Sequence, residues 1–115
     1  MKYNMHLINE AYNSILSGTK RVEIRLLDEK RSKLKVNDVI IFTNLEYPDK
    51  SFEVLIKDLK TFNNIYEVLD NYDISLLLSM DTKKEELVNT FNNIYSKDEQ
   101  NKYKVLCIEF KIKKW

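Results

Sequence analysis

The sequence predicts an α+β domain: a small, curled, mostly antiparallel sheet or barrel with helices packed at one side. Three observations predict it. Strand-like apolar runs in the first half lie too close together for helical crossovers, which favours antiparallel pairing. One helical segment follows the first of these runs. A helical third then precedes a last strand, so helices and sheet are segregated rather than alternating. The 115 residues supply one good core, and a single domain over residues 1–115 is expected.

Each element has its own signal. Residues 2–7 are a short candidate strand. Asn9 offers a side-chain oxygen as helix N-cap, and Ala11, Tyr12, Ile15 and Leu16 fall at helical spacing. Gly18 is the stop, since glycine takes a left-handed conformation at little cost. Residues 20–26 alternate: Val22, Ile24 and Leu26 point one way, Arg21, Glu23 and Arg25 the other. A charged connection follows over 28–35, containing Lys30, Arg31, Lys33 and Lys35. Val36, Asn37 and Asp38 make a turn into residues 39–44, an apolar run suited to a strand buried on both faces. Pro48 and Asp49 mark a hairpin loop, and 51–59 returns as a strand. Asn63 or Asn64 caps a short helix. Asp73 starts another through Leu76, Leu77 and Leu78. Thr82 with Glu85 has capping-box spacing ahead of the stripe Leu87, Val88, Phe91, Ile94 and Tyr95. Ser96 with Glu99 repeats the box. Residues 105–113 close the fold, with Leu106, Ile108, Phe110 and Ile112 on the apolar face.

Composition removes several classes of function. Nineteen Lys and Arg nearly balance eighteen Asp and Glu, for a net charge of +1. That excludes a polybasic coat for nucleic acid or membrane, though not a local basic site. One Gly and one Pro exclude Gly-rich phosphate loops and Pro-rich linkers. The single Cys107 has no disulfide partner, and with His6 as the one histidine neither a zinc site nor a His-dependent triad can be built. No cofactor or metal is expected. The N-terminus lacks a signal-peptide apolar region, and no apolar run reaches the roughly 20 residues of a membrane helix. A cytoplasmic protein is expected. The abundance of Asn, Lys and Ile resembles low-GC bacterial coding.

The densest polar signal runs from Gly18 to Arg25. Glu23 and Arg25 share a strand face about 7 Å apart, and Lys20, at the helix-to-strand junction, can reach the same cleft. A carboxylate among Lys20, Arg21 and Arg25 stays ionised at neutral pH. It can accept from a base amino or sugar hydroxyl, while a guanidinium binds phosphate or stacks on a base. The plainer reading is a solvated strand face with an ion pair worth under about 1 kcal/mol. Plainer readings also exist for the Lys30–Lys35 segment as a solvated loop, for His6 as an edge residue and for Cys107 as a structural thiol.

A resemblance favours the cleft. His6-Leu7-Ile8-Asn9-Glu10, then Gly18-Thr19-Lys20-Arg21-Val22-Glu23-Ile24-Arg25-Leu26, then Val36-Asn37-Asp38-Val39-Ile40-Ile41-Phe42 together resemble the ASCH domain family. These are small relatives of the PUA domains of RNA-modifying proteins. The family pattern is a helix ending in Gly-x-Lys, an x-x-Glu-x-Arg strand, and Gly-Asp before an apolar strand ending in Phe. The stretch from Tyr95 to Val105 also looks like stand-alone bacterial ASCH proteins. Asn37 and Lys104 stand where Gly is usual; Asn tolerates a left-handed turn. The resemblance implies a PUA-like β-barrel, and RNA or a nucleotide-like ligand bound in a cleft beside the first helix, with Lys20, Glu23 and Arg25 as its polar residues. Arg21, Lys30, Arg31 and Tyr103 join them as expected ligand contacts. Tyr95 and Tyr103 are candidate stacking platforms.

Three functional classes stay open. The first is a binding module for RNA or a nucleotide-like ligand. The second is a small hydrolase of modified nucleosides or RNA, with Glu23 as general base and Lys20 assisting. The family's acetylcytidine amidohydrolase branch uses a Lys, a Thr nucleophile three residues on, and a later Glu. Here Glu23 occupies the Thr position, Thr19 is out of register, and Met80 or Asp81 falls near the Glu, so that mechanism is not supported. In a ribonuclease, Glu23 would take the 2′-hydroxyl proton and Lys20 or Arg25 would stabilise the phosphorane. The third is a protein-interaction module through the Leu76-Leu77-Leu78 region.

Overall fold

The computed structural model describes residues 1–77 and 83–113. Strand β1 (Lys2–Leu7) leads into helix α1 (Asn9–Leu16). Strands β2 (Val22–Leu26), β3 (Val39–Asn44) and β4 (Ser51–Phe62) follow, with a short 3₁₀ turn at Arg31–Lys33. Then come α2 (Ile65–Asn71), α3 (Ile74–Leu77), α4 (Lys84–Ile94), α5 (Lys97–Tyr103) and strand β5 (Val105–Ile112). The strands form one curled sheet in the order β1-β3-β4-β5-β2, and every pairing but one is antiparallel. The exception is β1 with β3, which run parallel from Lys2↔Val39 to Leu7↔Asn44. The intervening chain carries α1 and β2 to the other side before β3 returns, a connection long enough for a parallel pair. Strands adjacent in sequence, β1 and β2, thus occupy opposite edges.

β4 holds the curl together. Its first half pairs with β3 and most of its length pairs with β5. The register shifts between Ile56 and Asp58, leaving Lys57 as the extra residue of a bulge that bends the strand. It continues to Phe62, past the expected end at Leu59, because its last residues pair with the start of β5. Two apolar cores result. Ile40, Phe42, Val54, Ile56 and Ile108 fill the inside of the curl, and α1 covers them with Ile15. Val22, Ile24 and Cys107 on the other side meet Ile65, Val68, Leu77 and Phe91 from the helices. Cys107 is fully buried. Burial, then the charge of Glu109, pushes its thiol up to about 12, so it packs rather than reacts.

Local chemistry explains most element ends. Gly18, at φ +86°, sits in the left-handed region and ends α1. Asn37 takes φ 77°, as its place in the Val36–Asp38 turn requires. Asn64 accepts from the Glu67 amide, and Ser96 with Glu99 forms the reciprocal capping box. Asn9 differs from expectation. The cap position belongs to Ile8, and the Asn9 side-chain oxygen instead accepts from Asn44 Nδ2 at 2.9 Å, tying α1 to β3. Strand β3 is fully buried on one face only, its Val39, Ile41 and Thr43 being half-buried. Leu77 is buried in the second core and Leu76 packs against it. Leu78 and Thr82, with its expected capping box, lie outside the described residues.

Lys104 stands at φ 67°, ψ 173°, a region that side chains with a Cβ avoid at a cost of about 1–3 kcal/mol. Lys104→Gly should therefore raise the free energy of unfolding by about 1 kcal/mol, after the flexibility glycine adds to the unfolded chain. Urea denaturation of the two proteins measures this.

Candidate functional site

The site is built at the end of α1. The amides of Thr19 and Lys20 both bond the Ser14 carbonyl, at 3.1 Å each, so the chain turns sharply past Gly18. The Arg21 amide then bonds the Leu76 carbonyl at 2.9 Å. These bonds delay β2 until Val22 and aim the Lys20 side chain inward. Lys20 and Glu23 are buried, at 6% and 7% exposure.

The Lys20 ammonium donates to the Leu77 carbonyl at 2.8 Å and lies 3.3 Å from Glu23 Oε1. Arg25 sends Nη2 and Nε to Glu23 Oε2, at 2.9 and 3.3 Å. Its Nη2 also donates to the His6 carbonyl at 3.0 Å, bridging the β2 edge to the end of β1. Burial alone would raise the Glu23 pKa. The charges of Lys20 and Arg25 and their hydrogen bonds outweigh it and hold the carboxyl below its ordinary range. One buried carboxylate is therefore clamped between two cations.

This trio lines a cavity of about 480 Å³, a size suited to a small organic ligand. Leu77, Leu87, Phe91 and Tyr95 contribute apolar and aromatic surface, while Glu10 and Glu86 add negative charge. The Phe91 and Tyr95 rings lie 5.0 Å apart. A smaller pocket of about 140 Å³ includes Tyr3, Lys30 and Arg31 in its lining. It shares His6 and Arg25 with the cavity. Asp28 holds the Arg31 guanidinium at 2.6 Å. Among the described residues, no group of three or more His, Cys, Asp or Glu side chains is placed to hold a metal.

The structure brings Lys20, Glu23 and Arg25 together and sets Lys30 and Arg31 beside them. It separates Arg21, whose Nε donates to the Gly18 carbonyl at 3.1 Å and which lines a different recess. Tyr103 packs against the second core and carries Lys102 over its ring, outside the cavity lining. Met80 and Asp81 lie outside the described residues. Sequence reasoning missed the His6 and Leu77 carbonyls, which no side chain announces. It placed Leu87 and Phe91 on an apolar stripe with no site role; they do pack in the second core, and the same stripe also lines the cavity, two roles that helical spacing does not separate.

Comparisons with known proteins agree with this fold. The profile of the ASCH domain matches residues 5–114. The crystal structure of hypothetical protein PH0355 is 32% identical, with a TM-score of 0.85, covering 98% of this chain and all of that one. The solution structure of protein PF0455 from Pyrococcus furiosus is 29% identical over both full chains, with a TM-score of 0.78. The ASCH domain from Lactobacillus crispatus shares the fold at 15% identity and a TM-score of 0.67, covering 96% of this chain and 79% of that chain. No curated protein matches.

Proposed function

We propose a function from one premise: this chain belongs to the ASCH domain family and has its PUA-like fold. The function is to bind single-stranded RNA by seating one unstacked base or nucleoside in the 480 Å³ cavity. The observation that supports it is the buried Lys20–Glu23–Arg25 cluster opening onto that cavity. A buried ion pair adds little net stability, because desolvation offsets its Coulomb energy. Its value here is a fixed set of donors and acceptors. Glu23 has lone pairs left to accept from a base amino or imino group, and the third ammonium hydrogen of Lys20 can donate to a carbonyl. Tyr95, half-buried at the cavity and backed by the buried Phe91 ring, offers stacking surface.

Charge divides the ligand between the pockets. Glu10 and Glu86 make the cavity lining more suited to an uncharged base than to phosphate. In the adjoining pocket Lys30, beside the already paired Arg25 and Arg31, suits the flanking phosphate. The hydrolase reading has less support: a carboxylate held below its ordinary pKa by two cations is a weak general base. No helix among the described residues is long and apolar enough to cross a membrane.

Fluorescence anisotropy with labelled RNA tests the proposal. Single-stranded RNA should bind, and the same sequence as a duplex should bind at least tenfold more weakly, because its bases are stacked away. Equal affinity for both would remove the base-in-cavity reading.

A further inference from the structure

A recess of about 630 Å³ shares one lining residue with the cavity, Lys20. Its charged rim is Arg21, Lys57, Lys111 and Lys113, without a carboxylate in the lining. Its floor is apolar and includes Leu55, Phe110 and Ile112. Lys113 faces Glu53 at 3.7 Å, so the free positive charge rests on the other three. Neither Lys57 nor Lys111 forms an ion pair among the described residues.

The topology gathers these cations from separate elements. Pairing of β2 with β5 stops at Val22↔Glu109, and one further bond joins the Phe110 amide to the Arg21 carbonyl at 3.4 Å. Beyond it the β2 side of β5 is open, next to Arg21. On the other side Lys111 pairs with Leu55, and the β4 bulge presents Lys57 beside them. Like charges around one recess repel, and Lys57 and Lys111 have no ion-pair partner among the described residues to offset this. In a chain of net charge +1, the rim of this recess gathers four cations and no carboxylate.

We propose that this recess is a second RNA subsite, which holds backbone phosphates of the strand whose base occupies the cavity. The inference rests on the RNA-binding reading above. Lys57, Lys111 and Arg21 would neutralise phosphates and release counterions. The apolar floor suits sugar faces, as in grooves that track single strands without reading sequence. Lys20, at the junction, links backbone contact to base recognition.

The test compares Lys57→Gln/Lys111→Gln with Lys97→Gln/Lys102→Gln, which removes the same charge from α5, away from every recess described here. Each is titrated with a mononucleoside, and with a single-stranded RNA of about ten nucleotides across a salt series. In the first variant the plot of log affinity against log salt should flatten by about 1.4, roughly 0.7 for each lost phosphate contact. RNA affinity should fall several-fold further than in the control, with nucleoside affinity unchanged. A slope equal to the control's, or nucleoside affinity falling in step with RNA affinity, would overturn the subsite. If the wild type binds no nucleoside while the RNA slope still depends on Lys57 and Lys111, the cavity reading fails and the backbone subsite stands.

Discussion

Glu23→Ala should lower the free energy of unfolding by about 3–5 kcal/mol, the usual cost of removing one partner from a buried ion pair. The reason lies in what remains. Lys20 is buried within 3.3 Å of the lost carboxylate, and Arg25 loses the acceptor of two of its N–H groups. Two cations would then face each other across a space that no longer holds a negative charge. Glu23→Gln should cost less, because the amide oxygen still accepts from one of them. The pH dependence follows with a definite sign. The folded-state pKa of Glu23 lies below its ordinary value of 4.5, so the unfolded chain takes up the proton first as pH falls. The stabilisation is fully present above about 4.5 and is lost as pH drops through the lower folded value. Urea unfolding of the wild type should weaken across that acid window, and Glu23→Gln should remove this part of the slope.

Arg25→Ala should weaken RNA and nucleoside binding about ten- to a hundredfold, as expected for charge-assisted hydrogen bonds worth about 1.5–3 kcal/mol. Arg25 is the hinge between the two pockets, lining both. It fixes one oxygen of Glu23 and ties β2 to the His6 carbonyl. Its side chain is less buried than those of Lys20 and Glu23, and Glu23 keeps Lys20 after the change. Binding should therefore suffer more than folding. Arg25→Lys keeps the charge but lacks the planar fork, and should recover only part of the affinity. Calorimetric titration with one mononucleoside reads both variants, and circular dichroism confirms that they fold.

Much of this site is legible in the sequence because it depends on a local strand pattern. Period-two alternation places Glu23 and Arg25 on one face, and Gly18 announces the helix end that delivers Lys20. The parts that were not legible are long-range. The cavity wall comes from Phe91 on α4 and Tyr95 just past its end, some 70 residues away in sequence from Glu23. The Leu77 carbonyl that receives Lys20 is a backbone group at the end of a short helix. The Arg21 side chain, expected beside Glu23, leaves the cavity because β2 begins only after it, where strand parity no longer governs. Asn9 was legible as a helix start but not as a tie to Asn44, a contact made only when β3 has docked. The parallel β1–β3 pair depends on where the whole chain returns, which spacing between adjacent strands does not encode.

The central claim is that the buried Lys20–Glu23–Arg25 cluster recognises a base in the cavity beneath α4. Amide NMR of the ¹⁵N-labelled protein, titrated with single-stranded RNA and then with modified and unmodified mononucleosides, tests it most directly. The account predicts saturable shifts at Lys20, Glu23, Arg25, Phe91 and Tyr95 with nucleoside alone, and additional shifts at Lys30 and Arg31 with RNA. An absence of shifts at the cavity residues with every nucleoside and with RNA, at millimolar ligand, would contradict it.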